Sequence, residues 1–372
     1  MERACRLPVA LAGALMPDAH VGYGLPIGGV LATDQAVIPM AVGVDIACRM
    51  RLSVFEPGPG ALEGNADRFV RALEEETRFG VGASFSPRRQ HSVMDEDWSV
   101  SPITRERKDL AWAQLGTSGS GNHFVEFGVI SSLVDPSPVP AGPRVALLSH
   151  SGSRGTGAAV CEYYRGIARK RHPELAADLR DLAWLDLGTE AGQEYWAAME
   201  LMGRYAAANH ELIHRHIARR LGLDPLLEIE NHHNFAWIER HAIEGVERKV
   251  VVHRKGATPA GQGMLAVIPG SMASAGYLVR GRGCAESLCS AAHGAGRRMS
   301  RTQARRRLKG EDLQKLLRTR GVRLLSAGLD ESPEAYKDIE TVMAEQRDLV
   351  EPLARFEPRI VRMAGPRERP ED

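Results

Sequence analysis

The sequence is poor in lysine, poor in aromatic residues and lacks any long apolar run. Only 7 of its 48 basic residues are Lys, the other 41 being Arg, and 47 acidic residues leave a net charge of +1. A chain so balanced does not attract nucleic acid or membrane as a whole, so any basic surface must be local. No stretch approaches the roughly 20 apolar residues of a membrane-spanning helix, which excludes a membrane partner of that kind. The short apolar run Leu7 to Met16 runs straight into chemistry-bearing residues and is read as part of the working chain, not as a secretion leader. Five cysteines at scattered positions (Cys5, Cys48, Cys161, Cys284, Cys289) exclude a disulfide framework and point to a reducing, cytoplasmic setting. The 372 residues, 43% of them apolar, are enough for a large buried core and exclude wholesale disorder.

What is abundant is glycine, 38 residues, which marks many places where the backbone turns tightly or approaches something closely. Residues 1–56 read as strands and loops, 62–79 as a helix, and Ser84 to Pro102 and Val134 to Pro143 as surface loops. Helical spacing returns at Gly157 to Arg171 and Gln193 to Leu221. Strand-like runs fill 225–290, notably Lys249 to His253 and Met264 to Pro269, and Arg298 to Leu308 and Glu334 to Leu353 read as helices. Strands and helices interleave without a βαβ rhythm and without internal repeats, so the fold class is α+β.

The chemistry sits where metal-capable side chains are embedded in Gly-rich turns. Asp18 and His20 precede Gly22-Tyr23-Gly24, and Asp45 and Cys48 are three apart, close enough for a carboxylate and a thiolate to reach one ion. Gly116 to Glu126 joins a Gly/Ser-rich loop, suited to cradling phosphate, to His123 and Glu126. Ser149-His150-Ser151-Gly152-Ser153-Arg154 repeats the pattern with a guanidinium suited to phosphate. Asn231-His232-His233-Asn234 and His293-Gly294-Ala295-Gly296-Arg297 supply further imidazoles. One Gly-flanked His is usually structural; five such sites in one chain are hard to explain that way.

A rival pattern competes. His210-Glu211-Leu212-Ile213-His214 matches the H-E-x-x-H of zinc proteases, with Glu239 downstream as a third ligand and Glu211 to activate water. Against it stand Arg215, His216, Arg219 and Arg220, which place positive charge beside any dication.

Taken in order, M-P-D-x-H-x-G, G-V-D-I-x-C, G-x-G-N-H-F-x-E, H-S-G-S-R-G, H-H-N, R-K-G-A, P-G-S-M and H-G-A-G-R resemble the RtcB-type RNA-splicing ligases. The similarity runs from Met16 to about Arg355 and is highly specific as a set. It implies one compact α+β ligase domain over 1–365 with a flexible tail at 366–372. The implied activity is manganese- and GTP-dependent joining of RNA 3′-phosphate or 2′,3′-cyclic phosphate ends to 5′-hydroxyl ends, in tRNA splicing or RNA repair. The substrates would be tRNA halves or damaged RNA, with an activating protein as a further partner.

Residue by residue, the resemblance assigns two manganese ions to Asp45, Cys48, His123, His150 and His233, with Cys48 bridging. A thiolate, imidazoles and a carboxylate suit a borderline transition metal better than magnesium. His293 resembles the guanylylated nucleophile and Asp18 the residue that orients its ring. Asn122, His123, Phe124, Glu126, Ser271, Met272, Ala273, Ser274, Gly294, Ala295, Gly296 and Tyr336 would surround the guanine nucleotide. A relative limited to end-phosphate hydrolysis or another nucleotidyl transfer is the alternative within the family. Members commonly end in a Lys-Gly that reaches the nucleotide, whereas here no Lys follows Lys337 and Arg362 is the nearest substitute.

One further expectation concerns RNA. Seven cations lie between Arg297 and Lys309, four residues after His293, and Arg298, Arg301 and Arg305 follow a spacing that can share one helical face. These three are expected to meet RNA phosphates.

Overall fold

A computed structural model describes residues 1–368 of the chain. Two antiparallel sheets carry the architecture, and helices cover the outer face of the larger one. The smaller sheet orders its strands Ala10–His20, Ile27–Thr33, Val246–Lys255 and Asn234–Ile243. The larger runs Leu265–Ile268, Gly276–Gly281, Val350–Met363, Phe124–Ser132, Arg144–Ser151, Arg49–Phe55 and Pro225–His232, with Arg323–Ser326 parallel to Val350–Met363. Its ends are stitched by a side chain, because the Asn231 carboxamide accepts from Val267 N–H (2.8 Å) and donates to Val267 O (3.3 Å). This satisfies edge groups that would otherwise stand open.

The helix Glu190–Leu221 is the spine of the largest core. The Thr189 hydroxyl accepts from Gly192 N–H at its start, and Gly222 adopts a left-handed conformation at its end. Tyr195, Met199, Met202, Tyr205 and Leu212 on this helix are fully buried against the helices Arg154–Arg171 and Pro102–Gln114. Each such side chain contributes roughly 1.5–3 kcal/mol relative to exposure. The α+β class read from the sequence is the class found, and none of the helices among the described residues is long and apolar enough to cross a membrane.

Two local readings need correction. Glu334 to Leu353 is helical only over Ile339–Ala344, and the chain then enters the long strand Val350–Met363. Its prolines argue against a strand, yet Pro352 and Pro358 fall where the pairing register shifts, positions that need no ladder donor. Ser84 to Pro102 is no plain surface loop: Val93, Met94 and Trp98 are buried, and the Trp98 indole N–H donates to Val93 O at 2.9 Å. Of the expected tail at 366–372, residues 369–372 lie outside the described residues.

Candidate active site

Alternation along the strands of the larger sheet decides what faces the cleft. In Arg144–Ser151, Leu148 and His150 point to one side and Ser149 to the other. Strand Phe124–Ser132 likewise turns Phe124 and Glu126 to the cleft and buries Val125 and Phe127 in the core behind. The cavity volume of the cleft is about 160 Å³.

Cys48 follows a turn in which its N–H donates to Asp45 O (3.2 Å) and Ala47 takes φ +57°. A left-handed Ala costs on the order of 1 kcal/mol, and here that strain delivers the thiol to the cleft floor. Cys48 Sγ lies 3.0 Å from His150 Nε2 and 3.4 Å from His123 Nε2. His150 Nε2 lies 3.2 Å from His233 Nε2, and His123 Nε2 lies 3.0 Å from Asp45 Oδ2. The five residues assigned to metal therefore form one unbroken chain of donor atoms. Among the described residues Cys48, His123 and His150 are the group whose donors all converge within 4.8 Å. Burial, reinforced by the neighbouring His123, holds the His150 imidazole down to about 3, and burial likewise holds His233 well below the usual range. Two imidazole nitrogens kept neutral and facing one another make a donor set fitted to a cation, not to a proton.

Gly152 and Gly119 serve this cluster. A Cβ on Gly152 would collide with the Asp45 carboxylate, and Gly119, at φ +95°, leaves room for His123 Nδ1. Burial raises the Asp45 carboxyl, but the His123 and Cys48 hydrogen bonds outweigh it and hold the group below its ordinary value.

His293 stands beside this cluster, its ring 4.9 Å from that of His233. Its Nδ1 lies 2.7 Å from Asp18 Oδ2, and its backbone N–H donates to the same oxygen at 3.1 Å. Asp18 is fully buried, so the carboxylate holds Nδ1–H and leaves the Nε2 lone pair for the cleft. The Lys337 ammonium locks the strand beneath by donating to Pro17 O and Ala19 O at 2.9 and 2.8 Å. Asn122, His123, Phe124, Glu126, Ser271, Met272, Ser274, Gly294, Ala295, Gly296 and Tyr336 all line the cleft. Ala273, buried beside Met272, does not. Burial pushes the Glu126 carboxyl well above its usual range.

Sequence reasoning gave no role to Asn234, Arg297 or Glu331, which also line the cleft. The Arg297 guanidinium donates to Glu331 Oε2 and Tyr336 OH, and Tyr336 OH donates to Glu331. The signals were Asn234 in H-H-N and Arg297 in H-G-A-G-R and at the head of the cation run; nothing marked Glu331, which lies 34 residues beyond Arg297.

The rival pattern fails, and two further readings need correction. His210 and His214 do not form a zinc site: both reach Ser149 Oγ, at 2.6 and 2.8 Å, behind the sheet. Their other nitrogens meet Ser151 O (3.1 Å) and Ser53 Oγ (2.7 Å). Glu211 turns away to His91 and Arg215, and Glu239 pairs with Arg254 and His241. His214→Ala is therefore expected to lower stability by about 2–3 kcal/mol, through a cavity and one hydrogen bond lost at each of Ser149 and Ser53, which keep His210 and Glu228 as partners, without touching the cleft. Urea denaturation checks this. Arg362 does not line the cleft either; its guanidinium caps the Ala66–Glu76 helix through Leu73 O, Glu74 O and Thr77. Arg301 and Arg305 share a face as expected, but that face is spent on Asp330 and Glu331, while Arg298 donates to Glu334 O.

Comparison with known proteins agrees with this geometry. The family model described as tRNA-splicing ligase RtcB matches residues 1–110 and 91–364. The RNA-splicing ligase RtcB of Escherichia coli is 34% identical, covering 91% of this chain and 86% of its own length. That of Mycobacterium bovis is also 34% identical (94% and 96%), and the tRNA-splicing ligase RtcB of Methanococcus maripaludis 32% (88% and 82%). With its motifs gathered in one cleft and its length covered almost end to end, the chain belongs to the RtcB family of tRNA-splicing ligases.

Proposed function

We propose that the protein is a cytoplasmic manganese- and GTP-dependent RNA ligase that joins 3′-phosphate or 2′,3′-cyclic phosphate ends to 5′-hydroxyl ends. The observation that carries this reading is the Asp18–His293 pair set beside the Cys48 donor cluster in one cleft. A fixed imidazole with a free Nε2 is a nucleophile for phosphorus. Asp45, Cys48, His123, His150 and His233 are the residues that would hold two manganese ions, which supply charge neutralisation on phosphoryl oxygens.

His293 Nε2 attacks the α-phosphorus of GTP; a P–N bond forms, the α–β bridging P–O bond breaks and pyrophosphate leaves. An oxygen of the RNA 3′-phosphate then displaces the imidazole from phosphorus, which carries GMP to the RNA end. Attack by the 5′-hydroxyl oxygen on the RNA phosphorus expels GMP, and its proton passes to solvent. A cyclic phosphate is first opened by water to the 3′-phosphate. Throughout, Asp18 holds the Nδ1 proton and stabilises positive charge on the ring. Glu126 at the cleft wall offers carboxyl oxygens to the N–H groups of a purine edge, and Asn122 an amide. Incubation with manganese and α-labelled GTP tests the reading: an acid-labile label on the protein is expected, and its absence overturns it.

The cations left over on the Arg301–Arg307 helix are those opposite Asp330. Arg306 and Arg307 are exposed, with no ion pair among the described residues. Converting both to Ala is expected to lower the slope of log K against log salt for single-stranded RNA by about 1.4, at roughly 0.7 per phosphate contact. Filter binding at several salt concentrations measures it.

A further inference from the structure

The hairpin that carries Asp18 continues beyond the cleft. Its last paired residues, His20 and Ile27, both line the cavity, so the tip at 21–26 begins at the rim. Two side chains of that tip stand in water: Val21 is 96% exposed and Tyr23 81%. No other aromatic side chain among the described residues is as exposed as Tyr23.

On a loose loop this exposure would carry no meaning, but the backbone around Tyr23 is held. The buried Lys255 ammonium donates to Tyr23 O and, at 3.0 Å, to Met40 O. Leu25 is fully buried with Leu31, Ile38 and Leu182. Gly24, at φ +69°, lies so close to Met40 and Asp181 that an added Cβ would press on both. The chain is thus fixed on both sides of a ring that is left out. Tyr23 is three residue steps from His20, at most about 11 Å of chain, so the ring is within reach of nucleotides flanking the reacting ends.

We propose that Tyr23, with Val21 beside it, is the stacking platform for a nucleobase next to the RNA end joined in this cleft. The inference rests on the RNA-ligase reading given above. A phenol ring carries no charge for phosphate, whereas every base presents a π-face to it, so the contact is tolerant of sequence. A base stacked on an aromatic ring is worth about 5- to 150-fold in affinity.

The test uses the full chain with manganese, GTP and two sets of RNA ends, one intact and one with an abasic site replacing the nucleotides beside the junction. Tyr23→Ala is expected to raise KM for intact RNA about tenfold or more with a smaller effect on kcat, and to leave KM for abasic RNA unchanged. Tyr23→Trp is expected to restore the low KM. If wild-type protein forms no GMP adduct, the underlying ligase reading fails. If wild-type protein ligates and Tyr23→Ala alters KM less than twofold, or equally for intact and abasic RNA, the platform is overturned. The latter results would leave the tip facing a protein or solvent.

Discussion

His293→Ala is expected to remove the covalent GMP adduct altogether while the protein keeps its metal. The reason lies in how little else in the cleft can substitute. The His293 ring is the imidazole whose Nδ1 meets a fully buried carboxylate, at 2.7 Å, so its Nε2 is the nitrogen left with an open lone pair toward the cavity. His123, His150 and His233 already direct Nε2 at the donor cluster, and His20 Nδ1 contacts Asp18 O at 3.1 Å. Loss of the nucleophile in covalent catalysis costs on the order of a millionfold, which reads as absence in a labelling gel. The metal content is expected to stay near wild type because His293 supplies no atom to the cluster around Cys48. Labelled GTP followed by acid treatment, together with metal analysis of the same sample, measures both. An adduct that survives in His293→Ala would move the nucleophile elsewhere.

The sequence was most legible where side-chain chemistry and backbone demands coincide. Gly-flanked histidines announced themselves because Gly152 and Gly119 make room for Asp45 and His123, which lie far from or near them in the chain but always against them in space. Legibility failed where the deciding partner is remote and unmarked. H-E-x-x-H reads as a zinc site until Ser149 and Ser53, on two strands of the sheet behind the cleft, take the imidazole nitrogens. The arginine run reads as a phosphate-binding face until Asp330 and Glu331 turn out to occupy Arg301 and Arg305. In both cases local spacing was right about which residues share a face and silent about what that face meets. The strand Val350–Met363 was hidden for a different reason, since its prolines sit at register shifts that only the paired structure displays.

Cys48→Ala is expected to have the largest effect on metal content, because of where the thiol stands in the chain of donors. Asp45 and His123 form one end, His150 and His233 the other, and Cys48 Sγ is the atom within 3.4 Å of His123 Nε2 and 3.0 Å of His150 Nε2. Removing any terminal donor shortens the set; removing the thiol splits it into two pairs, each below the usual count of protein ligands for a tightly held ion. The thiolate is also the softest donor present, so its loss weakens the preference for a transition metal over magnesium. Protein purified without oxygen and loaded with manganese is expected to carry about two ions per chain, falling below one in Cys48→Ala. Cys48→Ser, with a harder and weaker oxygen donor, is expected to fall between them. The thermal midpoint should follow metal content, since ions that bind only the folded chain stabilise it, and a chelator should bring wild type down toward the alanine variant. Two ions retained in Cys48→Ala would mean that the cluster around His123 and His150 is not where manganese binds.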